Sequence, residues 1–170
     1  MGKKKAFSLR DLAIAGIIAG LYAVLTYAGG FFGLSYGAVQ FRLSEVLTVL
    51  PVFTPAAIPG LIFGCILANA GSPLGLMDLA FGTAATAIAA LSGRALRNVR
   101  IRELPLLSLL MPVISNALLV GLEFYLLTPD AGWTGFLWGV LTVGVGQLIV
   151  CCGLGIPFYY FLKKHASYIM

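Results

Sequence analysis

The chain has 170 residues, of which 60% are hydrophobic and only 10% are charged, and it carries a net charge of +5. A soluble domain has about 25% charged residues, so this composition excludes an ordinary soluble globular protein. The apolar runs are continuous rather than alternating, which excludes a β-barrel and predicts a membrane-embedded bundle of α-helices.

The basic residues are grouped beside the apolar stretches rather than spread along the chain. They fall mainly at Lys3–Lys5 with Arg10, at Arg94–Arg102 and at Lys163–Lys164. Lys and Arg that flank apolar spans are typical of cytoplasmic loops, so the charge indicates membrane topology and not nucleic-acid binding. We therefore expect both termini and the Arg94–Arg102 loop on the cytoplasmic side.

The apolar segments predict six spans in a single transmembrane domain that covers residues 1–170. With all basic clusters on one side, an even number of crossings must lie between neighbouring clusters. A full crossing needs about 20 residues, so four crossings before Arg94 require short helices, and the second span is the shortest. The approximate spans are Leu9–Gly29, Leu43–Val52, Ala57–Ala70, Leu76–Ser92, Leu104–Leu127 and Trp133–Leu162.

Polar side chains inside these spans gather at one depth. Such groups are costly in lipid, and each marks a functional site or its partner by default. With the predicted topology they converge on the outer half of the bundle and predict a pocket open to the outside. The candidate binding residues are Arg42, Glu45, Asn69, Asp78, Asn116, Glu123, Trp138 and, near the middle of the last span, Gln147. Acceptors and aromatic faces suit a flat, nitrogen-rich or cationic heterocycle.

Each candidate also has a structural explanation that the sequence leaves open. Arg42 and Glu45, three residues apart, could form only a local ion pair. Asn69 and Asp78 could simply cap helix ends. Trp133 and Trp138 could belong to an interfacial aromatic belt, and Gln147 could simply bond a neighbouring helix. Glu123 is hardest to explain without a ligand, because a lone carboxylate in an apolar helix needs a partner.

Small residues recur every four positions in the first span, at Ala15, Ala19 and Ala23 and also at Gly16 and Gly20. This spacing lets helices approach closely, either inside the bundle or against a partner protein.

Several signatures of chemistry are absent from the sequence. No G-x-x-x-x-G-K-[ST] loop is present, so we expect this chain not to use ATP in that way. The single histidine, His165, lies in the tail, and the three cysteines lie in apolar segments without metal-ligand spacing. We expect no catalytic residues, no metal and no cofactor in this chain, and therefore no enzyme.

Short motifs follow one another along the first half of the chain. They are Val39–Pro51 (VQFRLSEVLTVLP), Pro59–Gly60, Gly64–Cys65, Ala68–Asn69 and Gly75–Asp78 (GLMD). In this order they resemble the queuosine-precursor transporter (QueT) family, and the resemblance extends over nearly the whole chain. Its most specific part is the block Gln40–Phe41–Arg42 followed by Glu45.

The resemblance implies a substrate-binding S component of an energy-coupling factor (ECF) importer in the cell membrane. It implies six helices and an outward pocket for a 7-deazaguanine such as queuine. Ala15 and Ala19 match the A-x-x-x-A face with which S components dock the transmembrane T component. Two cytoplasmic ATPase subunits would then supply the energy from ATP. The alternatives are a self-sufficient small secondary transporter or channel for a cationic heterocycle, and an S component for another vitamin.

Overall fold

The computed structural model describes residues 7–33 and 41–165. They form the helices α1 (Leu9–Phe31), α2 (Ala57–Asn69), α3 (Leu76–Ala95), α4 (Leu106–Leu127), α5 (Gly132–Leu148) and α6 (Gly155–Lys164). A 3-10 helix, Leu43–Val52, precedes α2 and is called the short helix below; Pro129–Ala131 forms a 3-10 turn, and Ile149–Leu154 is a π-helical segment. The expected all-α fold is confirmed, whereas Lys3–Lys5 and Gln40 lie outside the described residues.

Four helical stretches are long and apolar enough to cross a membrane: α1, α3, α4 and the continuous run Pro129–Lys164. The short helix and α2 are apolar but shorter. At about 2.0 Å per residue for a 3-10 helix and about 1.5 Å for an α-helix, each measures about 20 Å. A hydrocarbon core is about 30 Å thick, so we expect these two helices to end inside the bundle at membrane depth. At that depth, the backbone N–H and C=O groups at the helix ends must form hydrogen bonds with other parts of the protein.

Helices α1 and α2 run parallel and in close contact. A Cβ atom placed on Gly60 would lie 2.8 Å from the carbonyl oxygen of Ala15, and one on Gly64 would lie 2.9 Å from that of Ala19. The absence of side chains at these two glycines therefore allows the two backbones to touch. Two parallel helices in sequence require the chain to return between them, which is the path of the short helix.

One end of the bundle carries the basic loop and is called the basic end. Arg94, at the end of α3, donates to the carbonyl oxygens of Pro51 (2.9 Å) and Val52 (3.2 Å), which are the last residues of the short helix. Lys163 of α6 forms a salt bridge of 2.8 Å with Glu103 of the loop. The ends of the short helix, α3 and α6 therefore meet here, and the opposite end is called the far end.

Helices α4 and α5 form an antiparallel hairpin that turns at the far end. Gly121 of α4 lies against Val140 of α5, so the two helices pack closely. The π-helical segment Ile149–Leu154 follows α5 and leads directly into α6. It brings the thiol of Cys151 to 3.8 Å from the backbone oxygen of Glu45 in the short helix.

Candidate functional site

A cluster of buried polar side chains fills the half of the bundle next to the far end. Its members come from six elements, and each is at most 1% exposed. The polar cluster consists of Tyr22, Arg42, Glu45, Asn69, Asp78, Asn116, Glu123 and Gln147. So many polar groups in an apolar bundle require a partner for every donor and acceptor.

One part of the cluster is built around the guanidinium of Arg42. Its Nη2 donates to Asn69 Oδ1, and its Nη1 lies 4.0 Å from Asp78 Oδ1. Asn69 Nδ2 in turn donates to the backbone oxygen of Asp78 (2.9 Å) and to Cys65 Sγ (3.3 Å). The amide of Asn69 is thus bonded on both sides, and it fixes Arg42 at the start of the short helix.

This arrangement depends on a glycine in α3. A Cβ atom on Gly82 would lie 2.6 Å from Asn69 Nδ2, 3.2 Å from Asp78 Oδ1 and 3.4 Å from Arg42 Nη1. A carbon and a nitrogen that are not bonded need about 3.5 Å, so any side chain at residue 82 would enter the network. Gly82 therefore provides the space in which the Arg42, Asn69 and Asp78 side chains meet.

A second part of the cluster holds the carboxylate of Glu45. The hydroxyl of Tyr22 in α1 donates to Oε1. Asn116 Nδ2 in α4 lies 3.4 Å from Oε2 and also donates to the backbone oxygen of Pro112 at 2.9 Å. Both carboxylate oxygens of Glu45 therefore have a donor from the protein itself.

The third part of the cluster has no such partners. Within residues 7–33 and 41–165, neither oxygen of Glu123 has a hydrogen-bond donor, and Asn116 Oδ1 and Gln147 Nε2 also lack partners. Arg42 Nε and Asp78 Oδ1 also have no hydrogen-bond partner there, although the two residues form an ion pair with each other. Asn116 and Glu123 lie seven residues apart on the same face of α4, and Glu123 is near enough to Asp78 and Arg42 for their charges to act on it. Acceptors and donors left free at a buried site are the arrangement that a polar ligand requires.

The structure brings together seven of the eight sequence-predicted binding residues. Glu45, Asp78 and Glu123 are all buried, and Arg42 forms its ion pair with Asp78 rather than the simple local pair with Glu45. Asn69 bonds Arg42 and a neighbouring helix and so does more than end α2.

Trp138 is the predicted residue that the structure places elsewhere. It is 64% exposed and lines a shallow groove of about 230 Å³ with Phe124 and Thr142. Its indole therefore does not stack within the polar cluster in this structure. Trp133 is 71% exposed, as the aromatic-belt interpretation expects.

The cluster contains an aromatic residue, Tyr22, that is not among the sequence-predicted binding residues. Tyr22 is fully buried and contacts Glu45, while Thr26, one turn later, donates to Ser44 at 2.7 Å. Two hydroxyl side chains four residues apart on one face, within the apolar part of α1, are a sequence signal of inward polar contacts.

Ala15 and Ala19 lie outside the polar cluster, on the α1–α2 contact. They are only 6% and 8% exposed, and their backbone atoms face Gly60 and Gly64. They also form one edge of a surface groove of about 310 Å³ that includes Gly16 and Phe63.

Within the described ranges, no group of three or more His, Cys, Asp or Glu side chains is arranged to hold a metal ion.

Comparisons with known proteins place the chain in a transporter family. A family model described as QueT transporter matches residues 12–164. The queuosine precursor transporter QueT of Lactococcus lactis subsp. cremoris (strain MG1363) is 36% identical over 69 residues, which are 41% of this chain and 39% of that protein. The match thus spans less than half the length of this curated relative. No solved structure matches the chain.

Proposed function

Because the chain belongs to the QueT transporter family, we propose that this multi-pass membrane protein binds a queuosine precursor of the 7-deazaguanine class in its polar cluster. The observation that carries the proposal is the set of buried groups without partners, above all both oxygens of Glu123. The name of the Lactococcus relative supports the substrate class.

The free groups of the cluster complement the edge of such a base. Asn116 Oδ1 is a free acceptor and Gln147 Nε2 a free donor. A 7-deazaguanine presents an N–H beside a carbonyl, which is the matching donor and acceptor pair, and its amino group needs a further acceptor. Tyr22 brings an aromatic side chain into the cluster, and an aromatic neighbour favours a flat ligand.

We further propose that the chain works as an S component, with a T component and two ATPase subunits that use ATP. The surface groove beside α1 supports a docking role, because Gly16 and Gly20 have open space next to their backbone in the described part of the chain. Small residues on an exposed helix face allow close approach of a second membrane helix. Ala15 and Ala19 would contribute at the edge of this groove, since they also pack against α2.

Two measurements on the detergent-purified protein test these proposals. Mass spectrometry should identify a 7-deazaguanine retained by the protein, and a tagged chain expressed with its native partners should co-purify with a T component and two ATPases. A different retained ligand would contradict the substrate class. Uptake by the chain alone would contradict the S-component assignment and favour a self-sufficient transporter.

A variant pair separates docking from ligand binding. Gly16→Leu fills the open groove and should abolish uptake while leaving binding by the isolated protein unchanged. Ile17→Leu is the matched control, because Ile17 is 64% exposed on a neighbouring part of the same helix. Loss of binding in Gly16→Leu would show that this surface supports the fold and not a partner.

A further inference from the structure

The charges buried in the cluster do not balance. Among the described residues, the buried charged side chains are Arg42, Glu45, Asp78 and Glu123, so one cation faces three carboxylates. The other described Lys and Arg residues lie in or beside α1, the basic loop and the end of α6. A surplus of negative charge at membrane depth is costly unless bound protons or a cation offset it.

The three carboxylates differ in the hydrogen-bond donors and ion-pair partners that the protein itself provides. Asp78 has the ion pair with Arg42, and Glu45 has the hydroxyl of Tyr22 and the amide of Asn116. Glu123 has no hydrogen-bond donor within the described ranges, although it is only 1% exposed. Of the three carboxylates, Glu123 therefore gains most from a hydrogen-bond donor or a cation that a ligand supplies.

The spacing along α4 gives the ligand an orientation. Asn116 and Glu123 are seven residues apart and lie on the same face, about 10 Å apart along the helix axis at 1.5 Å per residue. That separation fits a fused two-ring base with a short arm, laid along α4. A base laid this way would have its ring edge at Asn116 and Gln147, and an arm on carbon 7 would extend towards Glu123.

We propose, on the basis of the proposed function, that the site selects 7-deazaguanines whose arm carries a protonated amine, and that Glu123 is the carboxylate that binds this amine. Glu45 then acts as a positioning residue that holds Asn116 and Tyr22 rather than as the partner of the amine. A charge-assisted hydrogen bond between an ammonium group and a buried carboxylate is among the strongest single contacts available to the site.

Two probes with the same ring test this selectivity by isothermal titration calorimetry. 7-Aminomethyl-7-deazaguanine carries the amine, and 7-cyano-7-deazaguanine carries a neutral nitrile in its place. Wild-type protein should bind the amine at least tenfold more tightly. Glu123→Gln should weaken amine binding by about ten- to a hundredfold and change nitrile binding by less than threefold.

Three further variants show which carboxylate determines the preference for the amine. Glu123→Asp keeps the charge and should keep the preference for the amine. Glu45→Gln should weaken both probes together, because it disturbs the ring end of the site. Glu103→Gln, at an exposed carboxylate of the basic end, is the matched control and should bind both probes like wild type.

The possible outcomes distinguish a failure of the proposed function from a failure of the proposed amine selectivity. Wild-type protein that binds neither probe contradicts the proposed function itself. Binding of both probes without an amine preference overturns only the selectivity, as does a Glu123→Gln variant that loses both probes equally or neither. If Glu123→Gln does not purify in a folded form, the wild-type preference and its retention in Glu123→Asp decide the matter, and the absence of either overturns the assignment.

Discussion

A methyl group added to Gly82 should break the polar cluster from within. In Gly82→Ala the new Cβ would lie 2.6 Å from Asn69 Nδ2, whereas an ordinary contact needs about 3.5 Å. The Asn69 amide would have to retreat by about 0.9 Å. Its bond of 2.9 Å to the backbone oxygen of Asp78 would then exceed hydrogen-bonding distance, and Arg42 would lose its anchor.

The expected cost follows from these contacts. A buried polar group left without its partner costs about 1–3 kcal/mol, and overpacking adds a similar amount. Alanine recovers about 1 kcal/mol through its greater helix propensity. The net loss in the free energy of unfolding should be about 1–5 kcal/mol, which is at least a fivefold change in the ratio of folded to unfolded protein.

The measurement is equilibrium unfolding in mixed micelles, together with ligand binding by the same samples. Gly16→Ala is the matched control, because a Cβ there meets no described atom within 4 Å. The control should be at least as stable as wild type, while Gly82→Ala should be less stable and bind ligand more weakly. If Gly82→Ala equals the control in both assays, the close packing of Arg42, Asn69 and Asp78 is refuted.

Three further changes test other parts of the account. Tyr22→Phe removes the donor to Glu45 and should lower the free energy of unfolding by about 1–3 kcal/mol in the same micelle assay; unchanged stability would mean that this hydrogen bond contributes nothing. Gly64→Ala should separate α1 from α2 and destabilise the protein by about 1–3 kcal/mol, and a variant as stable as wild type would contradict the parallel contact. In intact cells an impermeant thiol reagent should modify a cysteine placed at Asp130 and spare one at Arg100, and the reverse pattern would invert the predicted topology.

Most of the fold follows from the pattern of apolar residues and prolines. The short helix Leu43–Val52 has the predicted bounds, because Pro51 and Pro55 stop the apolar run. The final apolar run Trp133–Leu162 gave no sign of its π-helical segment, because Ile149–Leu154 contains no residue that distinguishes a π turn from an α turn. Small residues at four-residue spacing likewise fit an internal and an external contact equally well, so Ala15 and Ala19 could not be placed from sequence.

The sequence predicts which polar side chains share one face of the same helix, because helical spacing alone determines this. Asn116 and Glu123 are seven residues apart, and both are buried on one face of α4. Trp138 and Gln147 are nine residues apart on α5, which is about half a turn out of register at 3.6 residues per turn. The buried Gln147 and the exposed Trp138 therefore lie on opposite faces, as that count already implied.

The partners of each polar group were not predictable in the same way. The sequence showed Arg42 and Glu45 three residues apart, but the choice of Asp78 and Tyr22 as their partners depends on how α3 and α1 pack around the short helix. That choice is a tertiary contact, and no local spacing encodes it.

A ligand-bound structure would show whether the polar cluster is the substrate site. It should be determined with 7-aminomethyl-7-deazaguanine in excess. We predict that the base lies in the polar cluster, with its ring edge within hydrogen-bonding distance of Asn116 and Gln147 and its amine within hydrogen-bonding distance of Glu123. A base bound on the outer surface, or a ligand-free cluster in which other groups of the chain occupy the oxygens of Glu123, would contradict the account.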